Sequence, residues 1–318
     1  MWVAKAMLWL LILIAIVVAA TGWRAISRTF ATHTAYPPEG QFITVNGHQV
    51  HYVQKGEGPD LVLIHGASGN TRDFTFSLVD QLTDRYRVTV FDRPGLGYTP
   101  PLARRGVTLA DQAKLLQGAA VELQLNRPIV LGQSFGGAVA MAWALAYEDR
   151  IAAVVNVAGA TYPWQGELDK LYATMARPVI GPIVAWGISA WVSRDYVDNA
   201  VAGVFRPQSE PQGYAEYFGP GLVLRPFSAQ ANAQQRTDMR EELRVMAPQY
   251  ASLSLPIEIV HGDADDIVGL SIHSEPMEQD VASADLTVLD GIGHMPQHVA
   301  QPQVIAAIDR AAQRAGLR

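Results

Sequence analysis

The chain has 318 residues, 49% of them hydrophobic and 17% charged, and 24 basic against 30 acidic side chains leave a net charge of −6. That length suits one large α/β domain or two ordinary ones, and the composition excludes a disordered, collagenous or coiled-coil chain. The mild acidity provides no basic stripe, so no nucleic-acid partner is expected, and the lack of Cys excludes disulfides, thiolate metal sites, iron–sulfur clusters and thiol nucleophiles together.

The mean hydropathy, +0.09, is high for a soluble enzyme, and the N-terminus accounts for much of it. Ala6–Gly22 carries no charge. As a helix it spans about 26 Å, and the longer run from Trp2 to Trp23 about 33 Å, at 1.5 Å per residue. A hydrocarbon core is ~30 Å thick. Lys5 would snorkel, and the two Trp would sit at the interfaces. Residues 1–25 therefore read as a transmembrane anchor, with residues 2–23 in contact with the lipid bilayer. A cleaved signal peptide is the alternative, with Val18-Ala19-Ala20 as its cleavage site and a secreted or periplasmic product. Basic groups flank the run on both sides, so the side of the membrane stays open. Residues 26–40, with Pro37-Pro38, read as a short tether.

Gln41–Val53 alternates apolar and polar residues around Asn46-Gly47, a hairpin signal. Short apolar runs then recur at Leu61–Ile64, Val88–Phe91, Ile129–Leu131, Ile151–Val157 and Ile257–Val260. Each suits a parallel strand buried on both faces. Helical stretches such as Leu109–Leu125 and Gly136–Tyr147 lie between most of them. This alternation predicts an α/β fold with a doubly wound, mostly parallel sheet. It breaks over residues 161–250, which are rich in aromatics and Pro and carry no strand signal. That segment reads as a helical insertion between two parts of the core, residues 41–160 and 251–318. Gly181, Pro182 and Gly187 within it predict short helices.

Gly132-Gln133-Ser134-Phe135-Gly136 sits between a predicted strand and an Ala-rich helix, a G-x-S-x-G at a strand–helix corner. A chain turning so abruptly leaves no room for side chains two positions either side of the serine, so Gly fits there. Ser134 would stand above the sheet at a helix N-terminus, where developing negative charge is favoured. A serine hydroxyl needs a general base, and the base needs an orienting acid. Of eight His, His48 and His51 fall in the opening hairpin and are expected at the surface, and His65 and His261 each end a strand. His294 lies in a tight Gly-containing loop after the strand-like Leu286–Leu289, ahead of a final helix. For the acid, Asp263, Asp265 and Asp266 crowd one loop after Ile257–Val260, and the residues alone do not choose among them.

These motifs together resemble the lidded serine hydrolases of the α/β-hydrolase superfamily. His65-Gly66-Ala67 is similar to the loop after that family's third strand, and Asp92-Arg93-Pro94-Gly95-Leu96-Gly97 to the loop after its fourth. Gly132–Gly136 resembles the nucleophile elbow, Gly262-x-x-Asp265-x-x-Val268 the acid loop and Gly293-His294-Met295-Pro296 the base loop. The order Ser, Asp, His is also that of the family. The resemblance implies a triad of Ser134, Asp265 and His294. It implies an oxyanion hole from the backbone N–H groups of Ala67 and Phe135, and loop-holding roles for His65 and Asp92. Residues 161–250 take the place of the family's lid. No metal or organic cofactor is implied. Related dehalogenases and epoxide hydrolases carry a carboxylate at the elbow, whereas Ser134 implies an acyl-enzyme and a substrate with an attackable carbonyl. The near-continuous apolar run Pro178–Val192 suits a hydrophobic ester. A C–C bond hydrolase or a thioesterase with the same triad is the alternative, and a catalytically silent binding protein of this fold is a third reading.

Overall fold

The apolar N-terminal run folds as one long helix, α1 (Trp2–Ala35), in a computed structural model that describes residues 2–166 and 169–318. Met1 and Glu167-Leu168, which belong to the expected anchor and insertion, lie outside the described residues. Side chains from Trp2 to Val18 are all exposed, and the helix is long and apolar enough to cross a membrane. The expected tether is corrected over most of its length, because Ile26–Ala35 continues the helix. No Gly or Pro interrupts that stretch, and the helix ends only where Pro37-Pro38 disfavours helical geometry in the preceding residue.

The predicted hairpin forms from β1 (Gln41–Val45) and β2 (His48–Lys55). Asn46 and Gly47 both have positive φ, 48° and 83°, which matches the turn to the twist of the strands. The sheet continues with β3 (Asp60–Ile64), β4 (Arg87–Phe91), β5 (Ile129–Gln133), β6 (Ala153–Val157), β7 (Ile257–Gly262) and β8 (Ala284–Leu289). Its eight strands run in the order β1-β2-β4-β3-β5-β6-β7-β8. The first two pairings, β1/β2 and β2/β4, are antiparallel and the other five are parallel. The predicted doubly wound sheet is thus the one observed.

Short α2 (Arg72–Thr75) follows β3, α3 (Leu109–Glu122) follows β4 and α4 (Phe135–Tyr147) follows β5. Between β6 and β7 come α5 (Lys170–Met175), α6 (Ile180–Trp191), α7 (Arg194–Gly203), α8 (Tyr214–Phe218), α9 (Gly221–Leu224) and α10 (Pro226–Met246). The chain closes with α11 (Leu270–Asp280), α12 (Pro296–Val299) and α13 (Gln301–Arg314). One face of the sheet packs on α3, α4 and α11, the other on α13 and the segment around Phe74–Tyr86. Burial on both faces explains why β3, β5, β6 and β7 read as mostly apolar runs. Glu258 is the charged exception in β7. It is fully buried, and Arg310 and Arg314 of α13 each place a nitrogen 2.7 Å from its carboxylate.

The insertion is helical as expected, but its helices are not all short. α10 runs for 21 residues, and α6 passes through Gly181, Pro182 and Gly187 without a break. Gly181 and Pro182 fall in the first turn of α6, where an amide has no intrahelical acceptor to lose, so they do not interrupt it.

Candidate active site

The loops that follow β3, β5, β7 and β8 leave the same edge of the sheet, at the carboxyl ends of the parallel strands. That is where ligands bind in open α/β sheets. At the end of β5 the chain turns directly into α4, and Ser134 takes φ 53°, ψ −118°, a conformation that side-chain-bearing residues rarely adopt. The close approach demands the flanking glycines. A Cβ on Gly132 would lie 2.1 Å from the Gly136 carbonyl oxygen, and one on Gly136 would lie 2.1 Å from that of Ile64. The corner is held by Ser134 N donating to Val157 O at 3.0 Å and by Ala160 N donating to Ser134 O at 3.1 Å.

Of the three candidate acids, one is buried against an imidazole. Asp265 Oδ2 lies 2.7 Å from His294 Nδ1, and the Asp265 side chain has no exposed surface. Its other oxygen accepts the amides of Ile267 and Val268, each at 2.9 Å. Burial pushes this carboxyl up, but hydrogen bonds from His261 and His294, the His294 charge and the Val268 amide outweigh it and hold it well below the usual carboxylate range. Asp263 is exposed and accepts Gly291 N at 2.7 Å, and Asp266 is exposed at the cavity margin.

Ser134 and His294 line one cavity of about 720 Å³, a size that suits a small-molecule ligand. The serine hydroxyl makes no hydrogen bond among the described residues. His294 Nε2 instead faces the Gln133 side-chain nitrogen at 3.4 Å, and that nitrogen also donates to His294 O at 3.2 Å. An open serine–imidazole pair does not by itself exclude a catalytic role, because such contacts commonly tighten only around a substrate.

Ala67 and Phe135 line the same cavity. Neither backbone N–H donates a hydrogen bond among the described residues, so both are available to an incoming anion. The loop that carries Ala67 is clamped from behind by a buried guanidinium to which the sequence alone assigns no role. Arg93 donates to His65 O at 3.0 Å, to Gly66 O at 2.9 Å and to the side chains of Gln112 and Gln235. Its charged end lies 4.2 Å from the centre of the Phe135 ring. Burial lowers its pKa to about 9, which leaves it cationic at neutral pH. His65 accepts the Arg93 amide on Nε2 at 3.1 Å and contacts Gly66 O through Nδ1 at 2.9 Å. Burial first, and the Arg93 charge second, hold it down to about 4. It is a neutral loop brace.

Asp92 accepts the amides of Thr71 and Tyr98, both at 2.7 Å, and meets His51 Nδ1 at 2.6 Å. The surface position expected for His51 is therefore corrected. It is 1% exposed, because the hairpin lies over the β4 loop and Asp92 needs a third donor. His261 was also missed as a site residue. Its Nε2 reaches Asp265 Oδ2 at 3.2 Å and Val268 O at 2.8 Å, while Nδ1 contacts Ser274 Oγ at 2.6 Å. Only the spacing of His261 and Asp265 hinted at it. On the far side, buried Asp73 gathers Tyr214 Oη at 2.7 Å, His298 Nε2 at 2.8 Å and Gln297 Nε2 at 3.3 Å. This joins the insertion to the segment just after His294. Among the described residues no cluster of three or more His, Asp or Glu could hold a metal ion.

A mostly parallel sheet in this strand order, with a hydroxyl on a strained strand–helix corner at its carboxyl edge, defines a hydrolase of the α/β type. The chain belongs to the alpha/beta hydrolase fold family, whose model matches residues 59–301. It is similar to haloalkane dehalogenase 2 of Mycobacterium tuberculosis, with 29% identity over 154 residues, 48% of this chain and about half (52%) of the dehalogenase. It is also similar to the pimeloyl-[acyl-carrier protein] methyl ester esterase of Nitrosomonas europaea, with 26% identity over 82% of this chain and 98% of the esterase. Among solved structures it resembles a membrane phospholipase A described as a bacterial virulence factor. The TM-score is 0.69 at 19% identity, covering 97% of this chain and 99% of that one, a likeness of fold.

Proposed function

We propose that the protein is a membrane-anchored serine hydrolase that cleaves carboxylic esters with hydrophobic acyl groups through an acyl-enzyme. The observation that carries this reading is the buried Asp265–His294 pair at 2.7 Å, sharing a cavity with a serine held on a positive-φ corner. The similarity to an esterase over most of both chains supports it.

In this mechanism His294 Nε2 exchanges the Gln133 amide for the Ser134 hydroxyl and takes its proton as Oγ attacks the ester carbonyl. The N–H groups of Ala67 and Phe135 receive the oxyanion, each such donor being worth about 3–4 kcal/mol in comparable sites. His294 then gives its proton to the departing alcohol. A water, deprotonated by the same imidazole, releases the acid and restores the serine. Asp265 fixes the Nδ1–H tautomer of His294 and stabilises the imidazolium. The apolar length of α1 supports a single-helix anchor through residues 2–23.

The test is p-nitrophenyl esters of rising chain length, with a fluorophosphonate label for the nucleophile. Turnover and labelling are expected in the wild type, and both should vanish in a folded Ser134→Ala variant. Turnover unchanged by that substitution would refute the serine mechanism.

A further inference from the structure

Helix α6 lies beside the last third of α1 and is fixed to it. Trp191 Nε1 donates to Thr21 Oγ1 at 3.0 Å, and the Arg24 guanidinium sits 4.9 Å from the Trp191 ring. Arg24 donates to Ala190 O at 2.6 Å, and Arg28 to Ala190 O at 3.0 Å and Val192 O at 3.1 Å. The two arginines thus satisfy carbonyls at the C-terminal end of α6 that have no helical partner, and they oppose its dipole. Toward its other end, Pro182 and Trp186 share a groove with Ile26 and Phe30, so the two helices run antiparallel.

The contact with Thr21 sets the height of α6. Thr21 lies inside the apolar stretch that ends at Trp23, so with residues 2–23 in a bilayer Trp191 would stand at its surface. From there the outer face of α6 is apolar and open. Ile183 is 68% exposed and Val179, just before the helix, 79%, and Phe30 of α1 is 74% exposed beside them. Contiguous apolar surface of this kind marks an interaction site, and it continues directly from the lipid-facing side chains of α1. A lean of α1 toward α6 within the ordinary range of tilts, up to ~40°, would bring this face down toward the membrane surface. The inner face of α6 contributes Ile188, and the turn after it Val192, to the cavity that holds Ser134. One helix therefore lines the cavity on its inner side and carries open apolar surface on its outer side.

We infer that the outer face of α6, with Ile26 and Phe30, is a bilayer-docking surface, and that the ester the site takes is an amphiphile lodged in the adjoining leaflet, its acyl chain passing the edge of α6. The substrate clause rests on the ester-hydrolase reading, whereas the docking clause rests only on the proposed membrane anchor through residues 2–23. Because the face is built from apolar side chains, docking to zwitterionic lipid is expected to persist in high salt.

The sequence holds no Cys, so a single introduced thiol can be labelled uniquely. Full-length protein carrying Ile183→Cys, labelled with a polarity-sensitive fluorophore, is reconstituted in phosphatidylcholine vesicles. The same label at Val121→Cys, at the opposite edge of the sheet, is the control. The label at 183 is expected to shift to the blue and to be quenched by spin-labelled lipid, and that at 121 to do neither. A water-like spectrum at 183 overturns docking. So does a blue shift that resists lipid quenchers and disappears when the protein is diluted within the vesicles, because a second copy would then cover the face. Ile183→Asp is expected to leave hydrolysis of soluble p-nitrophenyl butyrate intact and to lower that of a long-chain ester embedded in vesicles by about tenfold. Equal rates on both esters overturn the substrate clause. If the wild type hydrolyses neither ester, the ester reading fails and the fluorescence still decides docking.

Discussion

Asp265→Asn isolates the role of the buried acid, because the surroundings dictate how the new amide must sit. Oδ1 accepts two backbone N–H groups, from Ile267 and Val268, each at 2.9 Å. The amide oxygen of Asn must stay there, since an NH2 group would face two donors. The NH2 then replaces Oδ2, opposite His294 Nδ1 at 2.7 Å and His261 Nε2 at 3.2 Å. His261 keeps its bond to Val268 O at 2.8 Å, so the second histidine holds its place. His294 cannot adapt so easily. An N–H aimed at Nδ1 makes that nitrogen an acceptor and moves the ring proton to Nε2, the atom that must take the proton from Ser134. Such a forced tautomer lowers kcat about 10⁴-fold in a comparable triad, or ~5 kcal/mol of barrier. Initial rates on p-nitrophenyl butyrate, normalised by active-site titration, measure the effect, and circular dichroism checks the fold. Asp263→Asn is the control. That side chain is exposed, and its acceptor oxygen on Gly291 N survives the change, so its rate should stay near wild type. A folded Asp265→Asn variant within tenfold of wild type, or a larger loss in Asp263→Asn, would refute the assignment.

Ala67→Pro removes one N–H from the oxyanion pair without touching a side chain of the triad, and kcat is expected to fall by about 10²–10³ with little change in KM; a loss confined to KM would place that amide in substrate binding instead. Stability should fall on acidification between pH 6.5 and 4. His65 and His273 are both held down to about 4, chiefly by burial, from an ordinary value of 6.5. In that window the unfolded chain takes up protons that the native histidines refuse, so the stabilisation is whole above pH 6.5 and declines at up to ~1.4 kcal/mol per pH unit per histidine. Urea midpoints at closely spaced pH values check it, and a flat profile through the window would show that these imidazoles are not kept neutral.

The central parallel strands were legible because burial on both faces leaves a near-continuous apolar run in each, and the opening hairpin because its residues alternate around Asn46-Gly47. The candidate site was legible where chemistry and backbone strain coincide, as at Gly132–Gly136, where two close backbone approaches exclude any side chain. What stayed hidden depends on partners remote in sequence. Arg93 gains its role from carbonyls 27 and 28 residues away and from Gln235 at a separation of 142, and nothing local distinguishes it from a surface arginine. His51 looked like an outward hairpin residue until the β4 loop brought Asp92 against it. The helical continuation of α1 was misread for a different reason. Pro37-Pro38 marks a tether over residues 26–40, yet Ile26–Ala35 keeps the helix, with Arg28 bonded to the end of α6 and Thr32 packed against Gly221 of the insertion.

The chain segments proposed to perform chemistry and those that line most of the cavity are separate in this molecule. Ser134, Asp265, His294 and the two amides proposed for the oxyanion all sit where the chain leaves the carboxyl ends of the strands, whereas much of the cavity wall comes from one continuous stretch between β6 and β7. That stretch can be lengthened, exchanged or reshaped while the reacting atoms keep their positions. A change of diet in this protein would therefore be written between residues 161 and 250, and the catalytic loops would carry almost no trace of it.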